Sequence, residues 1–283
     1  DLAVNVKNRM SEFDDLLKRT HQLGLKAIID FVPNHVARTY KSIAKPSGVK
    51  DLGENDNSNF SFLPQNNFYY LPGQKLQLPI VTSSDNPYHE MPAKVTGNDC
   101  FSANPSVNDW YETVKINYGV DYLNGKAKHF IPTPDTWIKM TNILLFWAKK
   151  GVDGFRCDMA EMVPVQFWNY AINHVKNEFP DILFIAEVYD PEQYRNYIFE
   201  GGFDLLYDKV GLYDTLRGII EGYKWANDIT NCWQNVDDIK DYMLNFLENH
   251  DEQRIASKFF ASDPWRAIPA LVVACCLEKS SYM

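Results

Sequence analysis

The sequence predicts an α/β fold in which helices alternate with the strands of a parallel sheet. Five short apolar segments have the length and composition of buried strands, and amphipathic helical patterns lie between most of them. Polar and charged residues follow several of these segments directly. Because helices that alternate with apolar strands favour a parallel sheet covered by helices on its faces, we expect this fold class.

The predicted elements extend through most of the chain. A first helix ends at Gly24, and a second presents Trp137, Met140 and Leu144 on one face before it ends at Gly151. Further helices are expected at 165–179, 191–201, 212–240 and from 263 onward. The predicted strands are 25–32, 154–159, 183–188, 203–207 and 243–247.

A long segment after the first strand has a different composition. Residues 37–117 are rich in Asn, Pro, Ser, Gly and aromatic side chains, and they show no helical periodicity. The segment is too long for a simple loop, so we interpret it as a small inserted subdomain. A disordered insertion is the alternative, but the many Phe and Tyr residues argue against it.

Composition limits the partners that the chain can have. Its net charge of −9 disfavours nucleic acid, because the phosphate backbone would repel it. The longest apolar run, 268–277, is too short to span a membrane. The five cysteines show no metal-ligand spacing, and we interpret them as reduced core residues.

Side chains suited to chemistry gather at the predicted carboxyl ends of four strands. They are Asp30, Asn34 and His35 at the first strand, Arg156 and Asp158 at the second, Glu187 at the third, and Glu248, Asn249, His250 and Asp251 at the fifth. Taken singly, each has an ordinary structural explanation, such as a helix cap or an ion pair. A charge at a buried strand end is costly unless it is paired, so its repetition at one edge of the sheet indicates a site.

Three carboxylates and an arginine in this arrangement fit glycoside hydrolysis. That reaction requires two carboxyl groups that flank the scissile bond, one as nucleophile or base and one as proton donor. An arginine keeps the first carboxylate ionised, and a drier pocket keeps the second one protonated. Clusters of Asp and His also bind cations, so the spacing alone leaves metal-assisted hydrolysis open.

Four motifs resemble the conserved blocks of the α-amylase family. They are DFVPNH at 30–35, GFRCD at 154–158, IAEV at 185–188 and NHD at 249–251, and they occur in the family's order. The resemblance implies a (β/α)8 TIM-barrel catalytic domain. It also implies a retaining hydrolase for α-glucosidic linkages, above all α-1,4 linkages in malto-oligosaccharides or starch-like glucans.

The resemblance assigns a role to each residue of the motifs. Asp158 is the expected nucleophile, Glu187 the acid/base and Asp251 the transition-state stabiliser. The expected substrate-binding residues are Asp30, His35, Arg156 and His250. Asn34 lies where the family often places a calcium ligand, so it is a candidate ligand of a structural calcium ion, although the chemistry itself requires no cofactor.

The resemblance also divides the chain into barrel and insertion. Residues 1–36 are expected to form barrel helix 2 and strand 3, 37–117 the subdomain inserted after strand 3, and 118–283 strands 4 to 7 with their helices. A complete barrel needs eight strands. We therefore expect a partial barrel, with strands 1 and 2 before Asp1, strand 8 after Met283, and little activity for these residues alone.

Other functions stay open at this stage. The residues 159–162 after Asp158 lack the Lys-His pair that family α-amylases often carry, which weakens any transfer of their endo-acting subsites. A transglycosylase or isomerising enzyme of the same family would use the same acids. A non-catalytic, amylase-like binding or transporter-associated subunit is disfavoured because all three acids are present. The compartment, whether cytoplasmic or secreted, is not indicated.

Overall fold

The computed structural model describes residues 5–42, 45, 47–80, 88–277 and 281–282. Its helices are α1 Arg9–Gln22, α2 Asp135–Lys150, α3 Val165–Glu178, α4 Asp214–Glu221, α5 Asp228–Asn235 and α6 Ile268–Cys276. Its first seven strands are β1 Ile28–Phe31, β2 His35–Ala37, β3 Tyr70–Leu71, β4 Ala93–Lys94, β5 Thr113–Lys115, β6 Val120–Asp121 and β7 Ala127–Lys128. The remaining strands are β8 Gly154–Cys157, β9 Leu183–Ala186, β10 Leu205–Tyr207, β11 Met243–Asn245 and β12 Ser281–Tyr282.

One parallel sheet carries the fold, with strand order β1-β8-β9-β10-β11-β12. Helix α2 follows the long segment after β1 and leads into β8, and α3 connects β8 to β9. This is the strand–helix alternation of a (β/α)8 barrel. The register of β1 on β8 places Asp30 directly opposite Arg156. Because all strands run in the same direction, their carboxyl ends, and the residues that follow them, lie at one edge.

All five strands predicted from the sequence are present, and the sheet contains one more. Ser281 and Tyr282 of β12 pair with Leu244 and Asn245 of β11. The expectation that the next barrel strand follows Met283 is therefore wrong. A paired segment of two residues has no apolar run by which it could be recognised.

The predicted helix 191–201 is also different in the structure. A single turn of 3-10 helix at Pro191–Gln193 is followed by a π-helical segment at Asn196–Glu200. The side chain of Asp190 caps the first of these turns by accepting a hydrogen bond from the Glu192 N–H. These two short segments occupy the residues at which a regular α-helix was expected.

The long segment between β1 and α2 contains short antiparallel pairs and many loops. β2 pairs with β5, β3 with β4, and β6 with β7. Asp56 accepts hydrogen bonds from the backbone N–H groups of Asn67 and Phe68, at 2.8 and 3.0 Å. The side chain of Asn67 accepts another from Gly53. The many Asn and Asp side chains of this segment thus satisfy backbone groups that no helix or long strand pairs.

Helix α6 contradicts the expectation that the cysteines are core residues. It buries Ala270 and Ala274, whereas Cys275 and Cys276 are exposed. Cys157 on β8 is fully buried, as expected. Within the residues that the structure describes, no helix, α6 included, combines the length and hydropathy needed to cross a membrane.

The core between the sheet and its helices is centred on Trp168 of α3. The side chain is completely buried, and its ring centroid lies 6.2 Å from that of Phe31 and 4.8 Å from that of Phe203. Its Nε1–H donates to the Ala160 carbonyl at 3.0 Å. Trp168 therefore fixes α3 to β1 and to the loop that follows the Asp158 segment.

Replacing this indole should be among the most destabilising single changes in the core. We expect Trp168→Ala to lower the free energy of unfolding by about 3–5 kcal/mol, because it removes a large buried ring and leaves a cavity. Trp225→Ala is the control, since Trp225 is 80% exposed. Urea unfolding of both variants measures the effect, and equal losses would contradict the central role of Trp168.

Candidate active site

The carboxyl ends of β1, β8, β9 and β11 bring four carboxylates around one guanidinium. Arg156 Nη1 lies 2.8 Å from Asp158 Oδ1 and 3.4 Å from Asp30 Oδ1. Its Nη2 lies 3.0 Å from Glu187 Oε1 and 3.6 Å from Asp251 Oδ2. The Arg156 side chain is only 7% exposed, so these carboxylates replace the water that the charge would otherwise need.

Burial and charge act in opposite directions on this cluster. Burial raises the pKa of Asp158, and the neighbouring Glu187 raises it further, whereas the hydrogen bond from Arg156 opposes both effects. Burial alone would lower the pKa of Arg156, but Glu187 and Asp30 outweigh it and raise that pKa. The guanidinium therefore stays charged, and it is the group that favours ionised Asp158.

Glu187 is buried and its orientation is fixed by donors on both oxygens. Oε2 accepts a hydrogen bond from the Met159 N–H at 2.9 Å, and Oε1 accepts one from the Tyr189 hydroxyl at 2.7 Å. Met159, whose N–H makes this contact, has a left-handed backbone with φ of 43°. The segment that carries Asp158 thus also positions the second acid.

Asp251 is the most accessible of the three predicted catalytic acids that surround Arg156. Its side chain is 49% exposed, and its Oδ2 lies 3.1 Å from His250 Nε2. Asn249 shapes the loop, because its Oδ1 accepts the N–H groups of Asp251 and Glu252 at 2.9 Å each. Asp251 is therefore the acid of the three that is most open to hydrogen-bond donors of a ligand.

An open cavity of about 510 Å³ joins the three predicted catalytic acids. Asp158, Glu187 and Asp251 line it, together with Met159 and Tyr189. The remaining lining residues come from the segment between β1 and α2: His35, Asp109, Trp110, Tyr111, Glu112 and Thr113. A cavity of this size, with convergent carboxylates and aromatic rings, suits a polar ligand rich in hydrogen-bond donors better than an apolar one.

The predicted substrate-binding residues do not all reach this cavity. His35 lines it and packs against Trp110, with ring centroids 5.3 Å apart. Burial lowers the pKa of His35, and the nearby Lys115 ammonium lowers it further, which favours the neutral imidazole. Asp30, Arg156 and His250 instead line a second cavity on the inner face of the sheet.

Sequence reasoning missed several residues of the site, of which Trp110, Tyr189 and Glu161 are examples. Trp110 lies in the segment without periodicity, so only its aromatic character marked it. Tyr189 lies two residues beyond Glu187, and this spacing places neighbouring strand-end side chains on the same side. Glu161 Oε2 accepts the N–H groups of Tyr189 and Asp190, both at 3.0 Å, and so holds the loop that follows Glu187.

Asn34 does not offer the donor set that calcium requires. Its Nδ2 donates to the Gly97 carbonyl at 2.8 Å, and its Oδ1 accepts from the Lys115 ammonium at 2.8 Å. Calcium takes six to eight oxygen ligands and is repelled by an ammonium group. In the part of the chain that the structure describes, no cluster of three or more His, Cys, Asp or Glu side chains is arranged to hold a metal.

The raised pKa of Asp158 predicts a pH-dependent gain of stability in Asp158→Asn. Ionised Asp158 destabilises the folded state above its unfolded pKa, close to 3.8, and asparagine removes that penalty. The variant should therefore have the higher thermal midpoint at pH 7, and its advantage should shrink as the pH falls toward 4. Melting curves over this range, with the exposed Asp241→Asn as control, measure the difference; an advantage that grows on acidification would refute the prediction.

Comparison with known proteins identifies the family. The model described as "Alpha amylase, catalytic domain" matches residues 8–280. Among curated proteins, the chain is 22% identical over 249 residues to alpha-amylase 2 of Dictyoglomus thermophilum, which covers 84% of this chain and 34% of that protein. It is 35% identical over 93 residues to the alpha-1,4-glucan:maltose-1-phosphate maltosyltransferase of Picrophilus torridus, covering 33% of this chain and 14% of that protein.

A solved structure shows the same fold. The alpha-amylase from Lactobacillus plantarum superposes with a TM-score of 0.61 at 22% identity, over 97% of this chain and 54% of that chain. The chain thus spans about half of this solved enzyme and less than half of the two curated relatives. With 8–280 matched by the catalytic-domain model, the chain belongs to the α-amylase family.

Proposed function

We propose that this chain carries the catalytic centre of a retaining glycoside hydrolase that cleaves α-1,4 linkages in malto-oligosaccharides or starch-like glucans. The supporting observation is the single guanidinium of Arg156, which holds Asp158 and Glu187 on its two amino groups beside one cavity. Because both groups belong to the same planar fork, the two carboxylates stay close together. The retaining mechanism needs two carboxyl groups that flank the scissile bond, one as nucleophile and one as acid/base, and this pair supplies them.

Each acid has a distinct role in the proposed reaction. Asp158, kept ionised by Arg156, attacks the anomeric carbon and forms a covalent glycosyl-enzyme. Glu187 protonates the departing oxygen and then removes a proton from the incoming water. Asp251, half exposed at the cavity, accepts hydrogen bonds from sugar hydroxyls and stabilises positive charge on the ring.

Transfer to a sugar acceptor is the second candidate function. The first half of the reaction is the same, and Glu187 then activates a sugar hydroxyl instead of water. The similarity to a protein named as a maltosyltransferase supports this candidate, although it covers only 93 residues. The acids serve both outcomes equally, so the products have to decide between them.

In the full-length protein, Asp158→Asn should abolish the activity. With maltoheptaose as substrate, we expect kcat to fall at least about 10³-fold, because the amide cannot form the glycosyl-enzyme. Proton NMR of the first products of the parent protein should show the α-anomer. Chromatography then distinguishes hydrolysis, which yields shorter chains only, from transfer, which also yields longer ones.

Two results would contradict the proposal. One is β-anomeric first products, which would indicate inversion. The other is equal turnover by the parent protein and Asp158→Asn, which would point to a non-catalytic relative. Asp241→Asn is the matched control for loss of a carboxylate, because Asp241 is exposed and does not line the cavity.

Trp110→Ala should weaken substrate binding more than it slows the chemistry. The indole lines the cavity wall opposite the acids and packs on His35. Loss of one aromatic face should raise KM about tenfold, which corresponds to about 1.4 kcal/mol, and change kcat much less. Trp265→Ala, at a 78% exposed position, is the control. A fall in kcat at unchanged KM would show that Trp110 does not act through sugar binding.

A further inference from the structure

Lys115 carries a buried charge that the proposed reaction does not use. Its side chain is 2% exposed, at the end of β5. The ammonium Nζ lies 2.8 Å from Asn34 Oδ1 and 2.6 Å from Asp99 Oδ1. It also lies 5.2 Å from the ring centroid of Tyr122, which adds a cation–π contact. One cation is therefore surrounded by an amide oxygen, a carboxylate oxygen and an aromatic face.

The neighbouring contacts leave Asn34 no freedom to turn its oxygen elsewhere. Its Nδ2 donates to the Gly97 carbonyl at 2.8 Å, which directs Oδ1 toward Lys115. A β-carbon on Gly97 would lie 2.9 Å from His35 Cβ and 2.7 Å from Thr113 Oγ1, so the two segments approach as closely as glycine allows. The oxygens of Asn34 and Asp99 thus converge on one point, as the ligands of a metal cation would, and the ammonium holds that point.

Lys115 ties together three segments that are distant in sequence. Its backbone pairs with His35 across β2 and β5, and its N–H donates to the Val95 carbonyl at 2.9 Å. Its side chain reaches Asp99 beyond β4 and Asn34 beyond β1. The junction between barrel and inserted loops, with His35 beside it, is the place where a structural cation would act.

We propose that the Lys115 ammonium is a built-in cation that takes the place of the calcium ion expected at Asn34. A covalently attached cation cannot be removed by a chelator or by dilution, whereas a bound ion stabilises the fold only in proportion to its occupancy. The junction is accordingly independent of calcium. This inference does not depend on which glycosidic bond the protein cleaves, because its readout is stability.

The first test measures the midpoint of thermal unfolding of the full-length, unsubstituted parent protein. We expect the same midpoint in EDTA and in millimolar calcium chloride, and no heat of binding when calcium is titrated into the EDTA-treated, dialysed protein. A midpoint that rises with calcium in the parent, and no longer rises in Asn34→Ala, would overturn the proposal. This test requires no variant of Lys115 to fold.

The second test removes the ammonium but keeps the bulk of the side chain. Lys115→Met should lower the thermal midpoint by at least about 5 °C, because it leaves Asp99 and Asn34 without their shared partner. Lys126→Met is the matched control: Lys126 also lies over the Tyr122 ring, at 5.9 Å, but it is exposed. Equal midpoints for the two variants would overturn the proposal.

Discussion

The site depends on how the Arg156 guanidinium is satisfied. A charge that is 93% removed from water requires carboxylates around it, and β1, β8, β9 and the loop after β11 each supply one. The parallel register places Asp30 beside it, and the N–H of Met159, next to Asp158, donates to Glu187. The same ion pairs with Arg156 therefore hold the strand ends together and keep the proposed catalytic acids close to one another.

The opposing effects of burial and of Arg156 on the pKa of Asp158 explain why this site lowers the stability of the fold. Ionised Asp158 is unfavourable in its buried position, and only Arg156 offsets this. Packing elsewhere in the fold, including the core around Trp168, has to offset the cost of holding this carboxylate in its buried position. The raised pKa of Asp158 is thus the stability cost of keeping the proposed nucleophile close to a second carboxyl group.

The parts of the fold that follow from local pattern could be predicted from the sequence. Apolar runs predicted the five strands β1, β8, β9, β10 and β11, and the polar residues at their ends predicted that Asp158, Glu187 and Asp251 lie together at one edge of the sheet. The pattern failed where structure depends on distant partners. Strand β12 is defined only by pairing with β11, and the ammonium that meets Asn34 comes from a residue 81 positions away. Trp110 belongs to loops held by Asn and Asp side chains, which have no periodicity to detect.

The two walls of the cavity come from separate stretches of the chain. The proposed catalytic acids Asp158, Glu187 and Asp251 follow strand ends, whereas Trp110 and Thr113 belong to the segment between β1 and α2. Loops tolerate changes of length and sequence far better than a buried ion cluster does. If the proposed function holds, substitutions in these loops would therefore change which sugar chain binds while the strand ends keep their chemistry, so that recognition and reactivity can evolve at independent rates.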